Sequence, residues 1–510
     1  MKPANSGIVK NSVLNAAAGL ALLLTGFVSS VIVARLLGPE ANGTMAFSLW
    51  MVTTGSLIAE LGTGISMLRI LPQLAARGHD GRARRSFAAF LGWPVTAATL
   101  WLATAAVVWL HYEGQDHGLA TTPEIALLTG GLFIVQSLGS FGRNYLIGEQ
   151  QLGIFFKVST VSAVLQVIGV GFGAWYWGIA GALAGYALGQ IPLFLATLTV
   201  LRTRPDSCGM APKQIASTSF LIVIEFIVTA IFLTRPEIVF LQEFTTSETV
   251  GFYAVGISLT NLALALPIQL TGSLVPFYAS HSEKNGNLSS TLLVTVMRNF
   301  AYLTLPMSFG LAAVAEPLVT SLYGPAYREA GIIVTIMALG VPPAVFLQLC
   351  TQYIFAMDRQ DIRLTTTVVG AAAMSVGLLA AVPFLGGEGA AAIRDLTLVV
   401  MGAFIMRYIK MPDQSGGIAL RIIRIAAAAA VTGAVAYAAT RLLPGVGGVV
   451  LGIAAGALVY IPALRLMRAV DPVDRATLAG LSVRVPGRFR ALYSRLLDMA
   501  APVQTKVETP

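Results

Sequence analysis

Apolar stretches of about 20 residues, long enough to cross a bilayer as helix, recur along the whole chain, separated by short polar turns. No other feature limits the fold as strongly. In hydrocarbon every backbone N–H and C=O needs a partner inside the protein, so a chain of this pattern folds as a helix bundle. Charge excludes a soluble domain: 11% of the 510 residues are Asp, Glu, Lys or Arg, against 56% hydrophobic, and the mean hydropathy is +0.76. That is too little charge for a water-facing surface. The pattern predicts an all-α polytopic membrane protein. Its fourteen helices fall near residues 13 to 34, 44 to 68, 87 to 110, 123 to 146, 157 to 177, 179 to 201, 217 to 241, 250 to 276, 299 to 322, 331 to 357, 364 to 384, 387 to 409, 422 to 442 and 446 to 466.

Fourteen crossings return both ends to the same side. Of the 33 Lys and Arg, 28 fall in the segments on that side, including five from Arg69 to Arg85 and eight from Arg465 to Lys506. Positive charge is retained on the cytoplasmic face, so both termini are expected there. The same bias explains the net charge of +9 as topology, and nucleic acid is not an expected partner. The first apolar run is too long for a cleaved signal core and reads as an uncleaved helix.

A repeat runs through the chain at a constant offset of 208. Glu40-Ala41-Asn42-Gly43 matches Glu248-Thr249-Val250-Gly251, Gly178-Ile179-Ala180-Gly181-Ala182 matches Gly386-Gly387-Glu388-Gly389-Ala390, and Arg202 falls on Lys410. Six helices per repeat is an even number, so the halves share one orientation, related by a pseudo-two-fold along the membrane normal. The expected parts are a six-helix lobe over 1–208, a second over 209–416, two additional helices over 417–466 and a basic cytoplasmic tail over 467–510. Within the tail, Phe489, Leu492, Tyr493, Leu496 and Leu497 share one helix face. That face lies on the inner leaflet or packs on the inner ends of the bundle.

The candidate site is polar rather than catalytic. The four histidines all fall in loops, there is no HExxH pair and no GxxxxGK[ST] loop, and Cys208 and Cys350 sit at different depths. No metal, nucleotide or other cofactor is expected. Polar residues instead share helix faces: Asn11, Asn15 and Ser29; Thr53, Ser56 and Glu60; Gln136, Ser140 and Arg143; Ser159, Ser162 and Gln166; Tyr186, Gln190 and Thr197. They line a hydrated cleft or join helix to helix. The ionisable groups carry more weight, because a charge within the bilayer is costly. Glu60, Arg143 and Glu225 lie toward the inner side, Arg235 and Glu237 near the outer end of the seventh helix, and Arg394 and Asp395 in the outer half of the twelfth. They line a cavity or form structural ion pairs.

Several motifs carry a family resemblance. These are Ala34-Arg-Leu-Leu-Gly-Pro-Glu-Ala-Asn-Gly43 at the first turn, Ala59-Glu-Leu-Gly-Thr-Gly-Ile-Ser-Met-Leu-Arg69 with its acid followed by Leu-Gly, Arg235-Pro-Glu-Ile-Val-Phe240, Val250-Gly-Phe-Tyr-Ala254, and the outer turn Tyr323-Gly-Pro-Ala-Tyr-Arg-Glu-Ala-Gly331. The chain resembles the polysaccharide transporter family of lipid-linked oligosaccharide flippases, within the superfamily that includes multidrug and lipid II exporters. It departs from the family's Arg-x-Asp pattern by carrying Glu237. The resemblance implies a non-enzymatic flippase in the bacterial inner membrane. Its substrate would be an undecaprenyl-pyrophosphate-linked oligosaccharide for O-antigen, capsule or exopolysaccharide, moved by alternating access beside a polysaccharide polymerase and chain-length proteins.

For such a substrate Arg143, Arg394 and Arg235 are the expected pyrophosphate partners. Gln136, Gln166, Gln190 and Tyr186 would meet sugar hydroxyls, and the tail would stay among membrane lipids. Glu60, Glu225 or Asp395 would couple transport to a proton or sodium ion. A multidrug exporter, a lipid II exporter, and a membrane glycosyltransferase or polymerase are the alternatives. The last is disfavoured because no outer loop exceeds about 15 residues, short for a catalytic lid.

Overall fold

The computed structural model describes residues 4–60, 62–114, 122–208, 224–271, 289–409, 415–471 and 487–500, with positions 274, 278, 281, 474, 475, 479 and 480 between them; side chains before residue 17 are not described. Among the described residues the chain is all-helical, without strands. Ten helices are long and apolar enough to cross a membrane. Large apolar side chains cover their outer surfaces: Phe384 is 85% exposed and Leu458 76%. In water such a surface would aggregate, whereas in lipid it is solvated. The protein is a multi-pass membrane protein.

Three of the ten helices are each two helices joined across a glycine kink. In α1 (Ala4–Ala59) the break is Gly38 at φ 81°, ψ 178°, with Pro39 after it, the left-handed residue and the helix-starting proline that such a junction favours. In α5 (Leu152–Leu201) it is Gly178 at φ 60°, ψ −133°. A Cβ on Gly173 would strike the backbone of Gly181, and one on Gly185 the backbone of Gly169. The halves therefore run antiparallel with their backbones touching, as small residues permit in lipid. The helix Gln360–Met406 breaks at Gly386, φ 50°, ψ −131°. There a Cβ on Gly389 would meet the Ala381 carbonyl oxygen and one on Gly377 would meet Ile393. Each of these contacts lies 208 residues beyond its counterpart in α5. Split at the three glycines, the ten helices give thirteen segments among the described residues; the remaining helix of the expected fourteen, the seventh at 217 to 241, falls partly outside them.

Two predicted helices are interrupted. The second, expected to run unbroken from 44 to 68, stops at Ala59; Gly62 is left-handed (φ 69°), and α2 (Thr63–Ala76) resumes beyond it. The seventh is helical over 224–232, turns at 233–236 and resumes as Glu237–Phe244. Within a membrane, non-helical backbone is tolerated where protein buries it or where it lines a cavity.

The chain divides into two compact units, Met1–Ala265 with Gln360–Thr397 and Leu266–Arg359 with Leu398–Pro510. In the first, Met67, Leu71, Phe87, Phe141 and Tyr145 form one buried cluster, and Val52, Leu132, Phe133, Val170 and Leu183 another. In the second, Ala301, Ile425, Ala428 and Ala463 pack the core, and the start of the tail is tied down. Arg298 is 2.5 Å from Asp474, with side chains 6% and 0% exposed. The Tyr302 hydroxyl is 2.8 Å from the Ala469 carbonyl and 2.9 Å from Asp474, and Arg421 is 2.5 Å from Asp471. Burial pushes the Asp474 carboxyl above the usual carboxylate range, with Arg298 opposing it. Helix Gly487–Ala500 is present and contacts Gly445–Leu466, with Arg475 2.5 Å from Asp498. This fits packing on the bundle; the side chains of Phe489, Leu492 and Leu496 lie outside the described residues.

The topology has a direct check. Cysteines replacing Glu40 and Glu248, both exposed at turns, are expected to react with an impermeant maleimide in intact cells, and a cysteine replacing Ser289 is not. Labelling of Ser289→Cys from outside would invert the orientation.

Candidate functional site

Two polar clusters of the first unit form where a predicted helix is broken. The first is built on the interruption after Ala59. The Glu60 carbonyl accepts from the Thr63 hydroxyl (2.7 Å) and backbone N–H (2.8 Å), which holds the break closed. The Glu60 side chain, 5% exposed, accepts from the Asn144 amide at 3.2 Å. Ser140 also hydrogen-bonds this carboxylate and Arg143 acts on it electrostatically, while the Arg143 guanidinium donates to the Ser140 hydroxyl at 2.8 Å. Ser140, Arg143 and Asn144 come from α4 (Pro123–Gly148), where spacings of three and four residues put them on one face. A relay of neutral donors thus links Glu60 to Arg143. Asn144 is the member that sequence reasoning missed, though it lies four residues after Ser140.

The second cluster forms at the break of the seventh helix. Arg235 takes a left-handed conformation (φ 57°) immediately before Pro236, where both a side chain and a following proline disfavour it. Such a residue costs about 1–3 kcal/mol and persists where surrounding structure enforces it. Its side chain is exposed, yet it stands within electrostatic range of Arg394, Glu237, Tyr253 and Tyr186. Arg235 is thus the exposed member of a group of polar and charged side chains drawn from several helices. Arg394 Nε lies 3.9 Å from Glu237 Oε1, the side chains being 21% and 2% exposed. Tyr253, fully buried, lies beside both, and Asp395 acts on Arg394 and Tyr253. Glu237 stands against Arg394, and Arg235 is the more exposed of the two guanidinium groups.

The remaining candidates are engaged between helices. Gln166, 7% exposed, reaches Ser29 (3.3 Å), Gln136 reaches Thr53 (3.4 Å), and Gln190 lies against Gly139. Glu225 pairs with Arg363 at 2.8 Å. Arg143 and Arg394, of which one or both are expected to hold the pyrophosphate, have different partners here: Ser140 for the first and Glu237 for the second. Asn11 and Asn15 carry side chains outside the described residues.

No curated protein matches the chain. A sequence profile of the family described as polysaccharide biosynthesis protein matches residues 32–332, more than half of its length. The chain belongs to that family. Its fold is shared with solved transporters. A lipid II flippase, MurJ, in an inward closed conformation superposes with a TM-score of 0.72 at 13% identity, over 89% of this chain and 98% of that one. An inward-facing multidrug resistance MATE family transporter of the MOP superfamily gives 0.57 at 14%, over 76% and 93%. The Vibrio cholerae MATE transporter VcmN gives 0.52 at 16%, over 79% and 95%. This member of the polysaccharide biosynthesis protein family thus has an exporter fold along most of its length, with its two polar clusters at helix breaks.

Proposed function

We propose that this protein is a flippase that moves an undecaprenyl-pyrophosphate-linked oligosaccharide across the bacterial inner membrane by alternating access of its two repeats, both termini being cytoplasmic. The observation that carries the reading is the meeting of Arg235 and Arg394 beside Tyr186 and Tyr253. Guanidinium groups bind phosphate oxygens in bidentate fashion, the Tyr186 hydroxyl would serve a sugar, and the buried Tyr253 backs the pair. No covalent bond is made or broken, so catalytic residues are not required.

Ligand-induced thermal stabilisation of the purified protein tests the substrate class. An undecaprenyl-pyrophosphate oligosaccharide is expected to raise the melting temperature, the monophosphate to do so less, and an amphipathic cation not at all. Stabilisation by the cation alone would move the protein to the multidrug reading. The superposition on MurJ gives lipid II a place in the same experiment: stabilisation by lipid II in preference to the other pyrophosphates would move the substrate there.

Coupling is assigned to Glu60. A carboxylate held by Asn144, Ser140 and Arg143 exchanges partners when the helices move, and takes up or releases a proton as it does so. Glu60→Gln keeps the shape of the site and removes the titrating group. It is expected to fold, and to lose the response of reconstituted transport to a pH gradient. Transport with wild-type pH dependence would place coupling at Glu225 or Asp395, with a proton or a sodium ion, or leave it to polymerisation on the far side.

A further inference from the structure

At one place the two halves of the repeat meet through equivalent residues. A Cβ placed on Gly43 would strike the Ser247 carbonyl oxygen and come within 3.1 Å of Gly251 N; one on Gly251 would strike the Pro39 carbonyl oxygen and come within 3.2 Å of Gly43 N. Pro39 and Ser247 are 208 residues apart, as are Gly43 and Gly251. Residue 43 therefore meets 247 while its equivalent 251 meets 39, the reciprocity of an isologous contact about a two-fold axis. Two backbones touch at glycines on that axis, where no side chain fits. One bond breaks the symmetry. The buried Asn42 amide donates to the Gly251 carbonyl at 3.2 Å, and its repeat equivalent, Val250, has no such group.

We infer that this crossing is a reversible latch on the pseudo-two-fold axis: the turns at Gly43 and Gly251 lock backbone to backbone and part when the protein opens on their side of the membrane, with Asn42 setting how tightly they hold. The inference rests on the alternating-access reading above. Two bodies that share a dyad and rock against each other can separate there, because at the two glycines main chain meets main chain and the Asn42 amide adds a hydrogen bond. A methyl group on either glycine leaves the open arrangement untouched and makes the closed one collide.

The test needs no substrate, so failure of the substrate assignment leaves it standing. Cysteines replacing Glu40 and Glu248, exposed and repeat-equivalent, carry spin labels in a background with Cys208→Ser and Cys350→Ala, and their separation is measured by pulsed electron resonance in lipid nanodiscs. The parent is expected to show a short distance as its main population. Gly43→Ala and Gly251→Ala should each shift most molecules to a longer distance. Asn42→Val, which leaves the backbone free to close, should raise the long-to-short ratio about 2- to 10-fold, the factor one neutral hydrogen bond supplies. Gly131→Ala, whose Cβ meets nothing within 4 Å, should leave the distribution as it was. If the alanine variants fail to fold, Asn42→Val decides. An unchanged distribution in Asn42→Val together with unchanged or unfolded alanine variants would overturn the latch.

Discussion

Arg394→Ala and Arg235→Ala are each expected to reduce transport of the lipid-linked oligosaccharide by about 10- to 150-fold at normal protein level. The magnitude follows from losing a charge-assisted hydrogen bond to phosphate, about 1.5–3 kcal/mol, at tenfold per 1.4 kcal/mol. The two losses have different side effects. Arg235 is exposed, so Arg235→Ala should leave stability intact, and Lys at 235 should recover only part of the rate because an ammonium lacks the planar fork. Arg394 also faces the buried carboxylate of Glu237. Its removal strands that charge, and Arg394→Ala should lower the melting temperature as well, with Glu237→Gln in the same chain restoring stability but not transport. Surface polysaccharide in a complemented deletion strain, measured beside membrane protein level, separates the effects. Full polymer export by both alanine variants would remove the phosphate from this cluster.

Breaking the buried pair in the second unit should have the largest effect on folding. Arg298 and Asp474 are almost fully enclosed, so Asp474→Ala or Arg298→Ala leaves one charge buried alone, which costs about 3–5 kcal/mol. The Tyr302 hydroxyl keeps its Ala469 partner in the first case and loses only one bond. Burial already raises the Asp474 carboxyl despite its partner, a sign that desolvation outweighs attraction. Replacing both, Arg298→Met with Asp474→Leu, is therefore expected to restore most of the stability lost by either single change. Thermal unfolding in detergent, followed by size-exclusion fluorescence, reads all three variants. A double variant as unstable as the singles would mean that the pair itself, and not the avoidance of a lone charge, holds the tail start in place.

Much of this architecture was legible before any coordinates, because lipid leaves the backbone few choices. Apolar stretches fixed where helices lie, and the match of Gly178 to Gly386 anticipated two breaks with nearly equal dihedrals. The site was harder to read. Single residues on an apolar helix look alike whether they join helices, as Gln166 and Ser29 do, or face a cleft. Hydropathy also runs smoothly through Glu60-Leu61-Gly62 and through Arg235-Pro236, so the second and seventh helices read as continuous. The punctuation was present, a glycine two residues after the acid and a proline directly after the arginine. At those breaks ionisable groups gather with polar partners: Glu60 with Arg143, Ser140 and Asn144 at one, Arg235 with Glu237 and Arg394 at the other. Arg363 was counted with a cytoplasmic turn, and its pairing with Glu225 depends on contacts about 140 residues apart in sequence.

The central claim is that this chain carries a pyrophosphate-linked oligosaccharide across a bilayer. Proteoliposomes holding the purified protein and a fluorescent undecaprenyl-pyrophosphate oligosaccharide measure it directly, by the fraction of sugar that a membrane-impermeant glycosidase reaches over time. The account predicts rapid exposure of inner-leaflet substrate with the parent protein, about 10- to 150-fold slower exposure with Arg235→Ala, and no acceleration of an amphipathic cationic dye. Dye movement without oligosaccharide movement, or oligosaccharide movement that Arg235→Ala leaves unchanged, would contradict it.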